Sequence, residues 1–227
     1  MQTVEYAPGR LADVFGDAGK PTVLIWHGMQ SDARAAVRPL AEMLAVHGVT
    51  VVAPDWNSHA ADGGRADLLR SVAFTRERAT GAIVLVGWSL GGAAAAGLTL
   101  DARRHSVVIA HTVCLAGAFM ANDPISGRPL PELLAAGEQA TPFTLLHGLA
   151  DDVVPVRAST EFAAALEHAG CPVELVALAA DHGSIAGADY DAAADRYVSG
   201  ESDEAQRVAR EVAERIAVLA RAEPIGN

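Results

Sequence analysis

Alternation between short apolar runs and segments with helical spacing is the feature that most constrains the fold. Four runs rich in Val, Leu and Ile have the character of strands: TVLIWHG from Thr22, VTVVAPDW from Val49, AIVLVGWS from Ala82 and FTLLHGLAD from Phe143. Their apolar character is continuous, which is typical of parallel strands that helices cover on both faces. Weaker strand candidates are ADVF from Ala12, HTVCLAGA from His111 and PVELVAL from Pro172. We therefore expect about seven or eight strands.

Five segments with helical spacing separate or follow these runs: 35–47, 65–80, 92–103, 157–169 and 203–221. In the last segment apolar residues recur at steps of three and four and form one stripe, opposite a face rich in Arg and Glu. The residues of the stripe are Val208, Val212, Ile216 and Leu219. We expect this helix to pack on the sheet. The alternation predicts an α/β fold with a mostly parallel central sheet and helices on both faces.

Length and charge restrict the partners of the chain. Its 227 residues fit a single domain spanning 1–227. The formal net charge is −11 and the 17 Lys and Arg residues form no basic stripe, so a nucleic-acid partner is not expected. Charge-poor apolar runs fall short of the roughly 18 residues that cross a bilayer, so we expect no membrane partner.

Cysteine usage and the first residues favour a reducing compartment. The two cysteines, Cys114 and Cys171, lie in or beside strand-like runs and lack the spacing of a zinc or redox motif. We expect both to be buried free thiols. The opening MQTVEYAPGR has no basic segment followed by an apolar one, unlike a secretory signal peptide. These features predict a cytoplasmic protein.

Ser89 stands in the pattern GWSLG, between a strand-like run and an alanine-rich helical segment. A turn this tight, a nucleophile elbow, holds the Ser in a strained backbone conformation, and Gly on both sides removes side chains that would collide. The hydroxyl then lies at a helix start, where free N–H groups favour negative charge on an oxyanion. The N–H of Leu90 is the first expected donor. The alternative is that Ser89 only caps the helix.

A serine hydroxyl needs a base, and the base needs an acid to orient it. Asp151 and Asp152 follow the run that begins at Phe143, and His182 follows the run that begins at Pro172. Because ligands bind at the carboxyl ends of parallel strands, these groups belong at the same edge as the serine. Asp181 adjoins His182, but the side chains of adjacent residues rarely lie in the right position to hydrogen-bond each other. We therefore do not expect Asp181 to be the acid that orients His182.

The order and strand context of these motifs resemble those of the alpha/beta-hydrolases, in particular the small lidless carboxylesterases and the dienelactone-hydrolase-like group. Four matches carry the resemblance over nearly the whole chain: WHGM, GWSLGG, HGLADDVVP and DHG. The resemblance implies that Asp151 is the acid, that Asp152 is exposed, and that the N–H of Met29 is the second oxyanion donor. Dienelactone hydrolases carry Cys in place of Ser89, and this departure favours a serine esterase.

The resemblance implies acyl transfer to water by a triad of Ser89, His182 and Asp151 through an acyl-enzyme, with no cofactor and no metal. The expected partner is a small-molecule ester. The same triad also hydrolyses acyl thioesters and lactones, so these remain alternatives. A non-catalytic protein that keeps the fold to bind a small ligand is the rival from another class. The oligomeric state is left open.

Two segments, 119–141 and 183–202, are the candidates for a cap, and neither is long enough for a full helical lid. An open or shallow pocket favours short-chain or accessible esters. Its candidate apolar walls are Phe119, Met120 and Tyr190, and the alternative for each of them is a place in the core.

Other polar and aromatic residues near these motifs are expected to be structural. His27 should pack or bond beneath its loop, and Trp88 should pack at the turn. His59, with Asp55 and Asp62 nearby, lacks the ligand spacing of a zinc motif, so we expect a solvent-facing loop there.

Overall fold

An eight-stranded sheet lies at the centre of the computed structural model, which describes residues 1–136 and 141–222. The strands of this sheet are β1 (Gln2–Ala7), β2 (Arg10–Phe15), β3 (Thr22–Trp26), β4 (Thr50–Pro54), β5 (Ile83–Trp88), β6 (Ile109–Leu115), β7 (Phe143–Gly148) and β8 (Val173–Leu178). Their spatial order is β1-β2-β4-β3-β5-β6-β7-β8.

Most pairings in the sheet are parallel. Strand β2 runs antiparallel to both of its neighbours, β1 and β4, and every pairing from β4 across to β8 is parallel. The four strands predicted from continuous apolar runs, β3, β4, β5 and β7, are buried along their whole length. The predicted strand number and mostly parallel sheet are confirmed. Strand β1, which the sequence analysis did not identify, pairs only with β2 at the sheet edge.

Six α-helices flank the sheet in the described part of the chain: α1 (Arg38–Val46), α2 (Arg65–Arg76), α3 (Leu90–Leu100), α4 (Leu130–Ala136), α5 (Arg157–His168) and α6 (Asp203–Arg221). Strand β3 shows how both faces are covered. Val23 and Ile25 pack with α1 and α6, whereas Leu24 and Trp26 pack with α2 and α3. Helices on both faces are therefore confirmed. Helix α4 was not predicted.

Helix α6 packs through the predicted apolar stripe. Val208, Val212 and Ile216 are buried in the cluster that β3 and α1 share, and Leu219 is partly buried against it. The helix begins after Ser202, whose side chain accepts a hydrogen bond from the N–H of Ala205, as an N-cap does. Burial of the apolar stripe, rather than helix propensity, accounts for most of the stability of such a helix.

The two predicted cap segments differ in structure. Segment 119–141 contains α4, and its residues 137–140 lie outside the described residues. Segment 183–202 contains a two-stranded antiparallel hairpin of β9 (Ala188–Asp191) and β10 (Arg196–Ser199). None of the described helices combines the length and apolar character needed to cross a membrane.

Replacing Ile216 with Ala tests the packing of α6. Ile216 is fully buried, so Ile216→Ala should lower the free energy of unfolding by about 2 to 5 kcal/mol through lost burial and the cavity left behind. Val218, on the same helix, is 62 % exposed, so Val218→Ala should change it by less than about 0.5 kcal/mol. Urea unfolding measures both, and equal effects would contradict this packing.

Candidate active site

Ser89 is the single residue between β5 and α3, and its backbone is strained. Its φ of 55° and ψ of −119° lie outside the regions that side-chain-bearing residues ordinarily occupy. Backbone hydrogen bonds hold it there: its N–H donates to Leu115 O at 2.9 Å, and its C=O accepts from Gly92 at 3.0 Å and Ala118 at 2.9 Å. The side chain makes no capping hydrogen bond to α3, so Ser89 does not act as an ordinary helix cap.

The glycines around Ser89 are required by close backbone contacts. A Cβ on Gly87 would overlap the backbone of Gly91, and a Cβ on Gly91 would overlap the carbonyl oxygen of His27. A Cβ on Gly28, in the loop after β3, would lie 3.1 Å from the Cβ of Ser89. The predicted collisions are therefore real, and they bring the loop after β3 against the turn.

Two backbone N–H groups beside Ser89 are available to a ligand. Leu90 is the first residue of α3, so its N–H has no acceptor within the helix. Neither this N–H nor that of Met29 has a protein acceptor in the part of the chain that the structure describes. Met29 and Ser89 line the same cavity, of about 200 Å³. The Met29 side chain is exposed, and the donor role expected of this residue requires only its backbone N–H.

His182 is hydrogen-bonded to Asp151. His182 Nδ1 donates to Asp151 Oδ2 at 2.8 Å, and both side chains are almost fully buried. The other oxygen, Oδ1, accepts from the N–H groups of Val153 at 2.9 Å and Val154 at 2.8 Å. Burial alone would raise the pKa of Asp151, but hydrogen bonds from His147, His182 and the backbone hold it well below its usual range. Asp151 is therefore ionised at neutral pH.

Trp88 joins the turn at Ser89 to the loop that carries His182. Its indole N–H donates to the His182 carbonyl oxygen at 2.8 Å, and the two ring centroids lie 5.4 Å apart. Trp88 is buried, as expected of a packing residue. Ser89 and His182 line one cavity, although Ser89 Oγ and His182 Nε2 form no hydrogen bond in the described residues. Such bonds are often long until substrate binds.

His27 holds the loop that carries Met29. Its Nδ1 donates to Gly28 O at 2.9 Å, while its Nε2 accepts from the N–H groups of Ala33 and Trp56, each at 3.2 Å. Because the ring is fully buried, the pKa of His27 is lowered to about 3, and the ring is neutral. The expectation that His27 is structural is confirmed.

The walls of the Ser89 cavity come from the hairpin. Tyr190, as predicted, lines it, together with Arg196 and Tyr197. The prediction of Phe119 and Met120 as walls is wrong for this cavity, because both line a separate cavity beside α5. The Phe119 ring stacks on the ring of Phe162 on α5, and the two ring centroids lie 4.1 Å apart.

Tyr197 is the site residue that sequence reasoning missed. Its ring lies 5.0 Å from Trp88, 5.7 Å from His182 and 5.3 Å from Tyr190, measured between centroids. Burial, with a smaller effect of the Asp151 charge, raises the pKa of Tyr197 to about 12, so its hydroxyl stays protonated. It stands in a polar stretch with no recognisable motif, and the alternation in RYVS was the one available signal.

The other carboxylates near His182 are placed as expected. Asp152 is exposed. Asp181 is also exposed, and its Oδ1 accepts from the N–H of Ser184 at 2.7 Å, so it caps its own loop instead of orienting His182.

The remaining candidates are structural. His59 is exposed, and Asp55 is buried in an ion pair with Arg34. Within residues 1–136 and 141–222, no three His, Cys, Asp or Glu side chains are grouped to hold a metal ion. Both cysteines are buried free thiols, as predicted: Cys114 and Cys171.

Comparisons with known proteins agree with the fold described above. A model of the Alpha/beta hydrolase family matches residues 23–225. The native esterase Est2 of Thermogutta terrifontis is 20% identical, with a TM-score of 0.71 over 100% of this chain and 95% of that one. The paraoxon-phosphorylated form of esterase 2 of that organism is 19% identical, with a TM-score of 0.70 over 96% and 93%. Esterase Est22 is 16% identical, with a TM-score of 0.73 over 94% and 76%. Curated protein sequences gave no match.

The buried neutral ring of His27 predicts a pH-dependent stability. In the unfolded chain a His has a pKa near 6.5, so between about pH 6.5 and pH 3 the unfolded state binds a proton that the folded state does not. Stability from this group is present above pH 6.5 and is lost as the pH falls. In His27→Gln, whose amide does not titrate, moving from pH 7 to pH 5 should cost about 2 kcal/mol less than in the wild type.

Urea unfolding at the two pH values measures this difference. His59→Gln is the matched control, because His59 is exposed and its removal should leave the pH dependence as it is in the wild type. An unchanged pH dependence in His27→Gln would contradict the assignment of a neutral buried ring.

Proposed function

The chain belongs to the alpha/beta hydrolase family, and from its site we propose that it is a serine hydrolase that cleaves carboxylic esters through Ser89, His182 and Asp151. One observation carries the proposal: Ser89 is held strained in the same cavity as His182, whose Nδ1 is hydrogen-bonded to a buried, ionised Asp151. A structural serine or histidine requires neither the strain nor the buried charge.

Acylation begins at the Ser89 hydroxyl. With Nδ1–H donated to Asp151, the lone pair of His182 lies on Nε2, which accepts the Ser89 proton as Oγ attacks the ester carbonyl carbon. The carbonyl π pair moves to oxygen, and the N–H groups of Met29 and Leu90 stabilise the oxyanion. Losing one such donor typically costs about 2.7 to 4 kcal/mol of barrier. Asp151 stabilises the imidazolium without taking its proton.

Collapse of the oxyanion expels the alcohol. His182 Nε2–H gives its proton to the departing oxygen, which leaves an acyl group on Ser89 Oγ. Water then enters, gives a proton to Nε2 and attacks the acyl carbon. A second collapse releases the carboxylic acid and returns the proton to Ser89, so no cofactor and no redox partner takes part.

The size of the cavity favours small acyl groups. At about 200 Å³, bounded by the side chains of Tyr190 and Tyr197, it suits a short acyl chain better than a long one. Esterase Est2 of Thermogutta terrifontis has been solved with butyrate and with propionate bound, and the similar fold supports small acyl groups as the ones that bind here. We therefore propose short-chain carboxylic esters as substrates, with acyl thioesters and lactones of similar size as the alternative.

Hydrolysis of p-nitrophenyl esters from acetyl to palmitoyl tests the proposal. The wild type should be fastest with the short acyl chains. Ser89→Ala and Asp151→Asn should each lower kcat/KM at least about a thousandfold, because each removes a member of the triad. Asp152→Asn is the matched control, and it should change kcat/KM by less than about threefold because Asp152 is exposed and is not bonded to His182.

Full hydrolysis by Ser89→Ala would contradict the triad, and a wild type inert to every ester would bring the ligand-binding alternative forward. A butyryl thioester assayed beside the butyryl ester separates the two substrate classes: a higher kcat/KM for the thioester would identify a thioesterase.

A further inference from the structure

His147 is a fully buried histidine that the mechanism above does not use. It lies on β7, four residues before Asp151, and its side chain has no exposed surface. Its Nδ1 lies 2.7 Å from Ser159 Oγ on α5. Its Nε2 lies 2.9 Å from the carbonyl oxygen of Val154 and 3.3 Å from Asp151 Oδ2. Each ring nitrogen therefore has a defined partner.

These partners fix where the ring hydrogen lies. The Val154 carbonyl oxygen only accepts hydrogen bonds, so Nε2 carries the hydrogen and donates it to Val154, and Asp151 Oδ2 lies 3.3 Å from the same nitrogen. Nδ1 then has a lone pair, which accepts the hydroxyl hydrogen of Ser159. The Val154 carbonyl oxygen thus selects this tautomer, and Ser159 holds the ring by donating to its other nitrogen.

From this geometry we infer that His147 is a positioning residue for the acid of the triad, an inference that rests on the proposed function. Asp151 accepts hydrogen bonds from the N–H groups of Val153 and Val154 at Oδ1 and from His182 Nδ1 at Oδ2, and His147 Nε2 lies 3.3 Å from Oδ2. The carboxylate cannot rotate toward or away from His182 without losing several of them. His147 also holds the carbonyl of Val154, whose N–H bonds to the same carboxylate, so it fixes the acid and its loop together.

His147 also helps to keep the acid ionised. Burial raises the pKa of Asp151, and the N–H groups of His147 and His182 oppose this and hold the pKa well below its usual range. A carboxylate that stays ionised leaves the proton on His182 Nδ1 when the imidazolium forms. His147 exchanges no proton with substrate and touches no reacting atom.

Two substitutions of His147 distinguish the positioning of Asp151 from a purely structural role in core packing. The amide of Gln reaches roughly to the position of Nε2 and can donate to Asp151, whereas the shorter amide of Asn ends near Nδ1. His147→Asn should lower kcat about 10- to 100-fold, the value of one hydrogen bond to a charged group, with KM within about twofold of the wild type. His147→Gln should recover most of kcat. Butyryl p-nitrophenyl ester is the probe, and thermal unfolding shows whether each variant folds.

Ser159→Ala tests the same inference without touching His147. It removes the hydrogen bond that holds the His147 ring at Nδ1, so kcat should fall severalfold with KM unchanged. If His147→Asn fails to fold, the kcat of Ser159→Ala tests the inference in its place.

Several results would overturn the inference: a folded His147→Asn with wild-type kcat, equal losses in the Asn and Gln variants, or a wild-type kcat in Ser159→Ala. Failure of the proposed function itself gives a different result, because Ser89→Ala would then hydrolyse the ester as well as the wild type, or the wild type would not hydrolyse it at all.

Discussion

The one-residue turn at Ser89 determines what its neighbours can be. Its left-handed backbone persists because hydrogen bonds from three elements hold it and because glycine stands at every position where a Cβ would collide. The contact of Gly91 with the His27 carbonyl brings the loop after β3 against the turn. The same contacts that store strain at Ser89 therefore place beside it the N–H groups of Met29 and Leu90, which have no acceptor among the residues that the structure describes.

A buried charge organises the opposite side of the site. The Asp151 carboxylate is ionised although its side chain is buried, which is tolerated because the protein supplies hydrogen-bond donors to both of its oxygens. Those donors originate on the loop after β7 and on the loop after β8. The Trp88 bond to the His182 carbonyl then links this network to the strand that carries Ser89.

The sequence alone predicts much of the sheet and of the site, and it does so for physical reasons. Strands buried on both faces must be continuously apolar, so β3, β4, β5 and β7 were identified. A one-residue strand-to-helix turn needs glycine on both sides, so the pattern around Ser89 was informative. His182 and Asp151 follow strands whose carboxyl ends meet at one edge, so their proximity could be expected.

The features that were missed depend on contacts between distant residues. The edge strand β1 is half exposed, so burial does not impose an apolar run on it. The hairpin is held by pairing of Tyr190 with Tyr197 and by Asp189, which accepts hydrogen bonds from Ser202. The direction of the Phe119 ring is set by Phe162, which lies on α5, far along the chain. His147 looked like part of a strand, and only the fold shows that Asp151 and Ser159 converge on its ring.

The most direct test of the account is covalent labelling with a fluorophosphonate, followed by intact-mass and peptide mass spectrometry. Only an activated serine displaces fluoride from phosphorus at a useful rate. The account predicts one adduct per chain on the peptide that contains Ser89, and none in Ser89→Ala. A wild-type protein that stays unlabelled, or an adduct that survives in Ser89→Ala, would contradict it.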